Sequence, residues 1–140
     1  MARPTSFRLP EELLDLLEEE GRASGTSVTS LVTTLLDEGI KIRRFPGIAY
    51  RDGPTGRRAG LVGGPDVWEV VRDLRHAPGR GMKRVENLAA ETGLASARIR
   101  LAVDFYSAHP EEIDKLIKAD EESAQRTRRL ISQRERLLSS

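Results

Sequence analysis

The side chains of this 140-residue sequence that are spaced for chemistry are spaced to recognise an anion. Near the start, Pro4, Ser6 and Arg8 alternate with Thr5, Phe7 and Leu9, the period-two pattern of a strand with one apolar face. Ser6 and Arg8 then share the polar face with Pro4 at its edge, and Arg8 carries a planar guanidinium able to make two parallel hydrogen bonds to one acceptor group. Ser27, Val28 and Thr29 open a helix whose first amides, with the two hydroxyls, suit a phosphate. Ser96, Arg98 and Arg100 follow a glycine turn on the outward face of a second helix, and Arg57 and Arg58 flank a hairpin turn. A last basic group, Arg126, Arg128, Arg129 and Arg134, lies in the thinly apolar segment AQRTRRLISQRERLLSS.

Catalysis finds no comparable arrangement. There is no cysteine, which excludes disulfides, zinc-thiolate sites and thiol nucleophiles. His76 and His109 stand alone, and the carboxylates are spread over helix faces beside basic residues. GLVGGPD lacks the lysine and the spacing of a phosphate-binding loop. The expectation is a protein that is not an enzyme, with no metal and no cofactor. No apolar run reaches membrane-spanning length and the start lacks a basic-then-apolar leader, so a cytoplasmic, nucleoid-associated location is expected. The net charge of +1 is unevenly spread: residues 1–50 carry −2, residues 51–100 carry +4 and residues 101–140 carry −1. The middle third is the best place for a general anionic contact.

These groups must be positioned by local elements that the sequence announces. Pro10 ends the short strand, and EELLDLLEEEGRA follows as a helix with Leu13, Leu16 and Leu17 on one face and acids in its first turn. Gly25 breaks that helix and Ser27 caps the next, whose stripe of Val28, Leu31, Val32, Leu35, Leu36 and Ile40 is too wide for one strand and two helices to bury. A second copy is the simplest cover. GIAYR and RRAGLV around DGPTG form a β-hairpin. A helix over PDVWEVVRDLR places Val67, Val71 and Leu74 together with Trp68 beside them, which suits packing under the hairpin better than a partner anchor. Two helices meet around Gly93, with Ala89, Gly93 and Ile99 at helix-turn-helix spacing, and a long charged helix starts at about Pro110.

The order strand, helix, G-x-S turn and apolar-striped helix in SFRLPEELLDLLEEEGRASGTSVTSLVTTLLDEGI resembles the ribbon-helix-helix (CopG/Arc-like) DNA-binding family over residues 4–42. The resemblance implies a dimer whose two strands form an intermolecular antiparallel ribbon that enters the major groove of operator DNA. Phe7 and Leu9 would face the dimer core, Pro4, Ser6 and Arg8 the bases, and Ser27, Val28 and Thr29 the phosphates. Proline at position 4 departs from the family's usual polar or basic residue.

Residues 47–114 are similar to a small winged helix-turn-helix-like domain found beside PIN-like nuclease toxins, although GRRAG replaces the usual G-T-R hairpin signature. This resemblance implies an antitoxin role. The last segment then has two open readings: it folds into a toxin groove, with Arg126, Arg128, Arg129 or Arg134 neutralising an acidic nuclease site, or it is a solvated helix that extends the dimer. The fold expected is mainly α. A dimeric ribbon-helix-helix unit at residues 1–44 precedes a hairpin plus helical bundle resembling a winged helix-turn-helix at 45–140, with a C-terminal helix from about 110. The function expected is a sequence-specific transcriptional regulator, a repressor and candidate antitoxin, that binds double-stranded DNA as a homodimer or higher oligomer and does not engage a membrane. Arg57, Arg58, Ser96, Arg98 and Arg100 offer a second surface for DNA or protein. Two alternatives stay open: a stand-alone regulator with two DNA-reading modules, and an assembly adaptor that binds no DNA.

Overall fold

The computed structural model describes residues 2–54 and 56–140. The chain is mainly helical, with six helices and one two-stranded antiparallel sheet among the described residues. It divides into two compact units, one up to Arg44 and one from Phe45 onward.

The first unit holds helices α1 (Glu11–Ser24) and α2 (Val28–Arg44), packed on each other. Glu11 and Glu12 in the first turn of α1 and Arg22 in its last turn suit the helix dipole. Gly25 ends α1 in the left-handed conformation at φ 67°, and the Thr26 amide reaches back to the Gly21 carbonyl at 2.9 Å, which closes a Schellman turn. Gly21 is buried in that turn because a Cβ there would meet the Thr26 carbonyl oxygen at 2.9 Å. The strand expected over residues 4–9 is not formed in the single chain. Residues 2–10 are exposed and carry no ladder hydrogen bonds, because the first unit contains no second strand to pair with them.

The second unit is built on a hairpin of β1 (Ile48–Gly53) and β2 (Gly56–Leu61), in register from Ile48 opposite Leu61 to Gly53 opposite Gly56. The connection between the strands includes Thr55, which lies outside the described residues. Four helices follow: α3 (Val67–His76), α4 (Gly81–Thr92), α5 (Ser96–Ala108) and α6 (Pro110–Ser139). One apolar core joins them. Ile48 and Leu61 enter from the hairpin, Val67, Val70 and Val71 from α3, and Leu88 from α4. Ile99 and Phe105 enter from α5, and Ile113 and Ile117 from α6. Phe105 is fully buried, and its burial contributes roughly 2–3 kcal/mol. Phe45 meets it edge-on at 5.3 Å and the His109 ring lies tilted against it at 5.1 Å, so His109 is a packing residue just ahead of Pro110 at the start of α6.

The first half of α6 is tied to the body by polar contacts as well. The Tyr50 hydroxyl donates to Glu112 at 2.8 Å, and Arg75 and the Tyr106 hydroxyl both donate to Asp114, at 3.0 and 2.9 Å. Beyond Ala124 every residue of the helix is exposed.

Candidate nucleic-acid interface

Pro4, Ser6 and Arg8 all lie on the exposed stretch before α1, and Arg8 has no hydrogen bond or ion pair to another described residue. Its apolar neighbours are no better covered: Phe7 is 75 % exposed. α1 and α2 between them bury one large apolar side chain, Leu17. Leu13, Leu14 and Leu16 of α1 remain exposed, as do Val28, Leu35, Leu36, Ile40 and Ile42 of α2, while Leu31 and Val32 are half-buried.

At the start of α2 the Ser27 hydroxyl accepts the Ser30 amide at 3.1 Å and lies 3.0 Å from the Ser30 hydroxyl. Ser27 is therefore a true N-cap. The cap leaves the amides of Val28 and Thr29 without an acceptor among the described residues. Two N–H groups at a helix start with no acid in the first turn present a local positive pole.

In the second unit α4 ends on Gly93 in the left-handed conformation, at φ 77° and ψ 0°, and α5 begins three residues later. Ile99 is fully buried and Ala89 packs against the core, so the small residue, the glycine and the branched residue take the positions their spacing indicates. The polar side chains of α5 divide. Arg100 is exposed, Ser96 is half-buried, and Arg98 is turned back to donate to the Val62 carbonyl just after the hairpin. Arg98 also lies against Gly64, where a Cβ would meet its guanidinium at 3.0 Å. It is thus a half-buried clamp between α5 and the residue just after β2. Arg100 lines a shallow groove with Pro46, Gly47, Val62, Ala97 and Asp104.

The hairpin arginines are committed too. Arg57 pairs with Asp52 across the sheet at 3.1 Å. Arg58 donates through Nε to Asp66, and its other nitrogen reaches the Asp52 carbonyl at 3.0 Å. Asp66 is the residue that sequence reasoning missed. It is buried, stands immediately ahead of α3, and its carboxylate also takes the Trp68 indole N–H at 3.1 Å and lies 3.5 Å from Arg51. Arg51 and Arg58 are directly opposed in the ladder, a repulsive arrangement that the shared carboxylate reverses. Two glycines make room for them: a Cβ on Gly53 would strike the Arg58 guanidinium, and one on Gly60 the Arg51 guanidinium. The signal in the sequence was PDVWE, where aspartate precedes a helix with glutamate three positions on, a cap pattern. The Glu69 carboxylate accepts the Asp66 amide at 3.2 Å.

Arg126, Arg128, Arg129 and Arg134 are all exposed on the free second half of α6. Between that helix, the hairpin turn and the start of α3 runs a groove of about 480 Å³, lined by the apolar Trp68, Leu116 and Ala119 and by the charged Glu69, Asp120, Glu122 and Arg126, with Asp120 3.6 Å from Arg72. Trp68 is half-buried there, with Arg72 over its ring at 5.0 Å. The described residues contain no group of three or more metal-ligating side chains and no helix long and apolar enough to cross a membrane. No protein-family model, curated protein or solved structure matches the chain.

Proposed function

We propose that this chain is a sequence-specific DNA-binding transcriptional regulator, a repressor whose first unit is a ribbon-helix-helix that works as a homodimer. The observation that carries the reading is the uncovered apolar surface of residues 7–42. Ten large apolar side chains are exposed there, against one that is buried. Each is worth about 1.5–3 kcal/mol when fully covered, so even partial cover outweighs an association cost of roughly 4–15 kcal/mol. A second copy supplies that cover and also supplies the strand that residues 4–9 lack.

In this arrangement the two strands pair antiparallel across a two-fold axis, with Phe7 and Leu9 folded under onto the helices. Pro4, Ser6 and Arg8 then stand on the outer face of a ribbon narrow enough for the major groove. The free amides of Val28 and Thr29 bind a phosphate on each side and set the ribbon's register. Base readout falls mainly to Arg8.

The test is fluorescence anisotropy on the duplex upstream of the protein's own gene, over a salt series, with scrambled duplex as control. Wild type should prefer its own upstream DNA, and Arg8→Ala should lose about 1–3 kcal/mol of that preference. Equal binding by Arg8→Ala would sink the ribbon as the reader.

A second reading adds an antitoxin role to the same regulator. The exposed, arginine-bearing end of α6 favours it. Co-expression with any nuclease encoded beside the gene tests it, with relief of nuclease toxicity as the expected result and unchanged toxicity counting against it.

A further inference from the structure

The long helix α6 is electrically two helices in one. Residues 110–122 carry six carboxylates against two lysines, −4, and residues 125–140 carry five arginines against one glutamate, +4. Apolar positions recur in both halves, on either side of the polar stretch 120–129, where Ala124 alone is apolar. Leu116, Ala119, Ser123 and Arg126 line the groove beside Trp68, and at the same three-four spacing the face runs on to Leu130 and Leu137. Ile131 and Leu138 flank it at the heptad positions that Ile117 holds in the first half. The first half of the helix is covered by the body, with Ile113 and Ile117 buried. The second half is bare, with Leu137 75 % exposed.

We propose that this face is the docking surface for α6 of a second copy, the two helices crossing antiparallel about a two-fold axis near Ser123. Antiparallel pairing sets the −4 half of each helix beside the +4 half of the other, whereas parallel pairing would set like charge against like along the whole length. An axis at Ser123 places Leu116 against the second copy's Leu130, and Asp120 against the second copy's Arg126. The basic half of each helix then meets the groove of the other, whose lining carries Glu69, Asp120 and Glu122 beside Trp68, Leu116 and Ala119. Ser123, small and exposed, lets the helices approach at the axis. A nucleic acid or an anionic membrane laid along the same face would meet the carboxylates of the first half, so the charge pattern favours a copy of this helix over either. The pairing involves the second unit alone and does not depend on the DNA reading. Where both interfaces form, the chain has two ways to meet itself, and dimers can be joined into larger assemblies on adjacent operator half-sites.

The chain has no native cysteine, so single cysteines introduced into the full-length protein report the pairing directly. Under mild oxidation at micromolar concentration, Ser123→Cys should form a disulfide-linked dimer. Leu137→Cys should not exceed the background set by Ser132→Cys on the opposite face, because its twin lies ~42 Å away along an antiparallel pair. In the Ser123→Cys background, Arg126→Glu should lower the linked fraction at least fivefold, and adding Asp120→Arg should restore it. Circular dichroism checks that the helix content is unchanged throughout. The proposal is overturned if Ser123→Cys links no better than Ser132→Cys, if Leu137→Cys links as readily as Ser123→Cys, or if the double reversal fails to restore linkage.

Discussion

The Arg58 guanidinium donates to the carboxylate of Asp66, and Arg51, its direct neighbour across the ladder, approaches the same carboxylate from the other side at 3.5 Å. One buried acid therefore holds two opposed cations and the Trp68 indole, and ties the hairpin to the start of α3.

Removing that acid should cost the second unit more than removing any other single charge. Asp66→Ala leaves Arg51 and Arg58 facing each other with only backbone carbonyls as acceptors and strips the indole of its acceptor, a loss of about 2–3 kcal/mol. Arg57→Ala, which breaks an exposed pair with Asp52, should stay within about 0.5 kcal/mol. Urea denaturation of the two variants checks the contrast, and equal losses would refute it.

Gly47 should be similarly intolerant for a backbone reason. Its φ is 104°, and a Cβ there would stand 2.7 Å from Leu101 Cδ2. Gly47→Ala combines a strained backbone with a clash and should lower stability by roughly 1–3 kcal/mol. A midpoint equal to wild type in thermal unfolding would show that the strap before β1 can relax.

The two arginines of α5 should separate in their effects. Arg98→Ala releases the Val62 carbonyl and should lower the melting temperature, while Arg100→Ala should leave it unchanged. If α5 contacts DNA, Arg100→Ala weakens binding about equally across sequences and reduces the salt slope by about one. Binding that is insensitive to Arg100 assigns the DNA contact to the first unit alone.

Acid should loosen the attachment of α6. The hydrogen bond from Arg75, with a second from the Tyr106 hydroxyl, holds the Asp114 carboxyl below its ordinary range. A carboxyl lowered in the folded state stabilises fully above its unfolded pKa, and that stabilisation is lost as pH falls through the folded value. Between pH 5 and pH 2, Asp114→Asn should therefore show a shallower fall in melting temperature than wild type. Parallel pH profiles would remove Asp114 from the acid response.

Disrupting the apolar face of the first unit should abolish self-association through that unit and DNA binding together. Leu36→Asp or Phe7→Asp places a charge where the proposed dimer is dry. Sedimentation velocity should show a smaller species for each, and anisotropy should show lost operator preference. Retained binding by a dissociated chain would contradict the ribbon.

Local rules made much of this molecule legible from its residues. The break at Gly25, the cap at Ser27, the hairpin around Gly53 and Gly56, the turn at Gly93 and the start of α6 at Pro110 each depend on one or two residues with strong backbone preferences. Such preferences act within a few positions and need no tertiary partner. The apolar stripe of α2 likewise announced a face too wide for its own unit to cover.

What the tertiary structure alone decided is where the charged side chains go. Arg57, Arg58, Arg98 and Arg100 look alike as residues, yet one pairs across the sheet, one is drawn to a buried carboxylate, one clamps a carbonyl and one is exposed. A guanidinium on a flexible stem reaches whatever acceptor the fold brings within several ångströms. The Arg98–Val62 contact joins residues 36 apart in sequence, which no local pattern encodes.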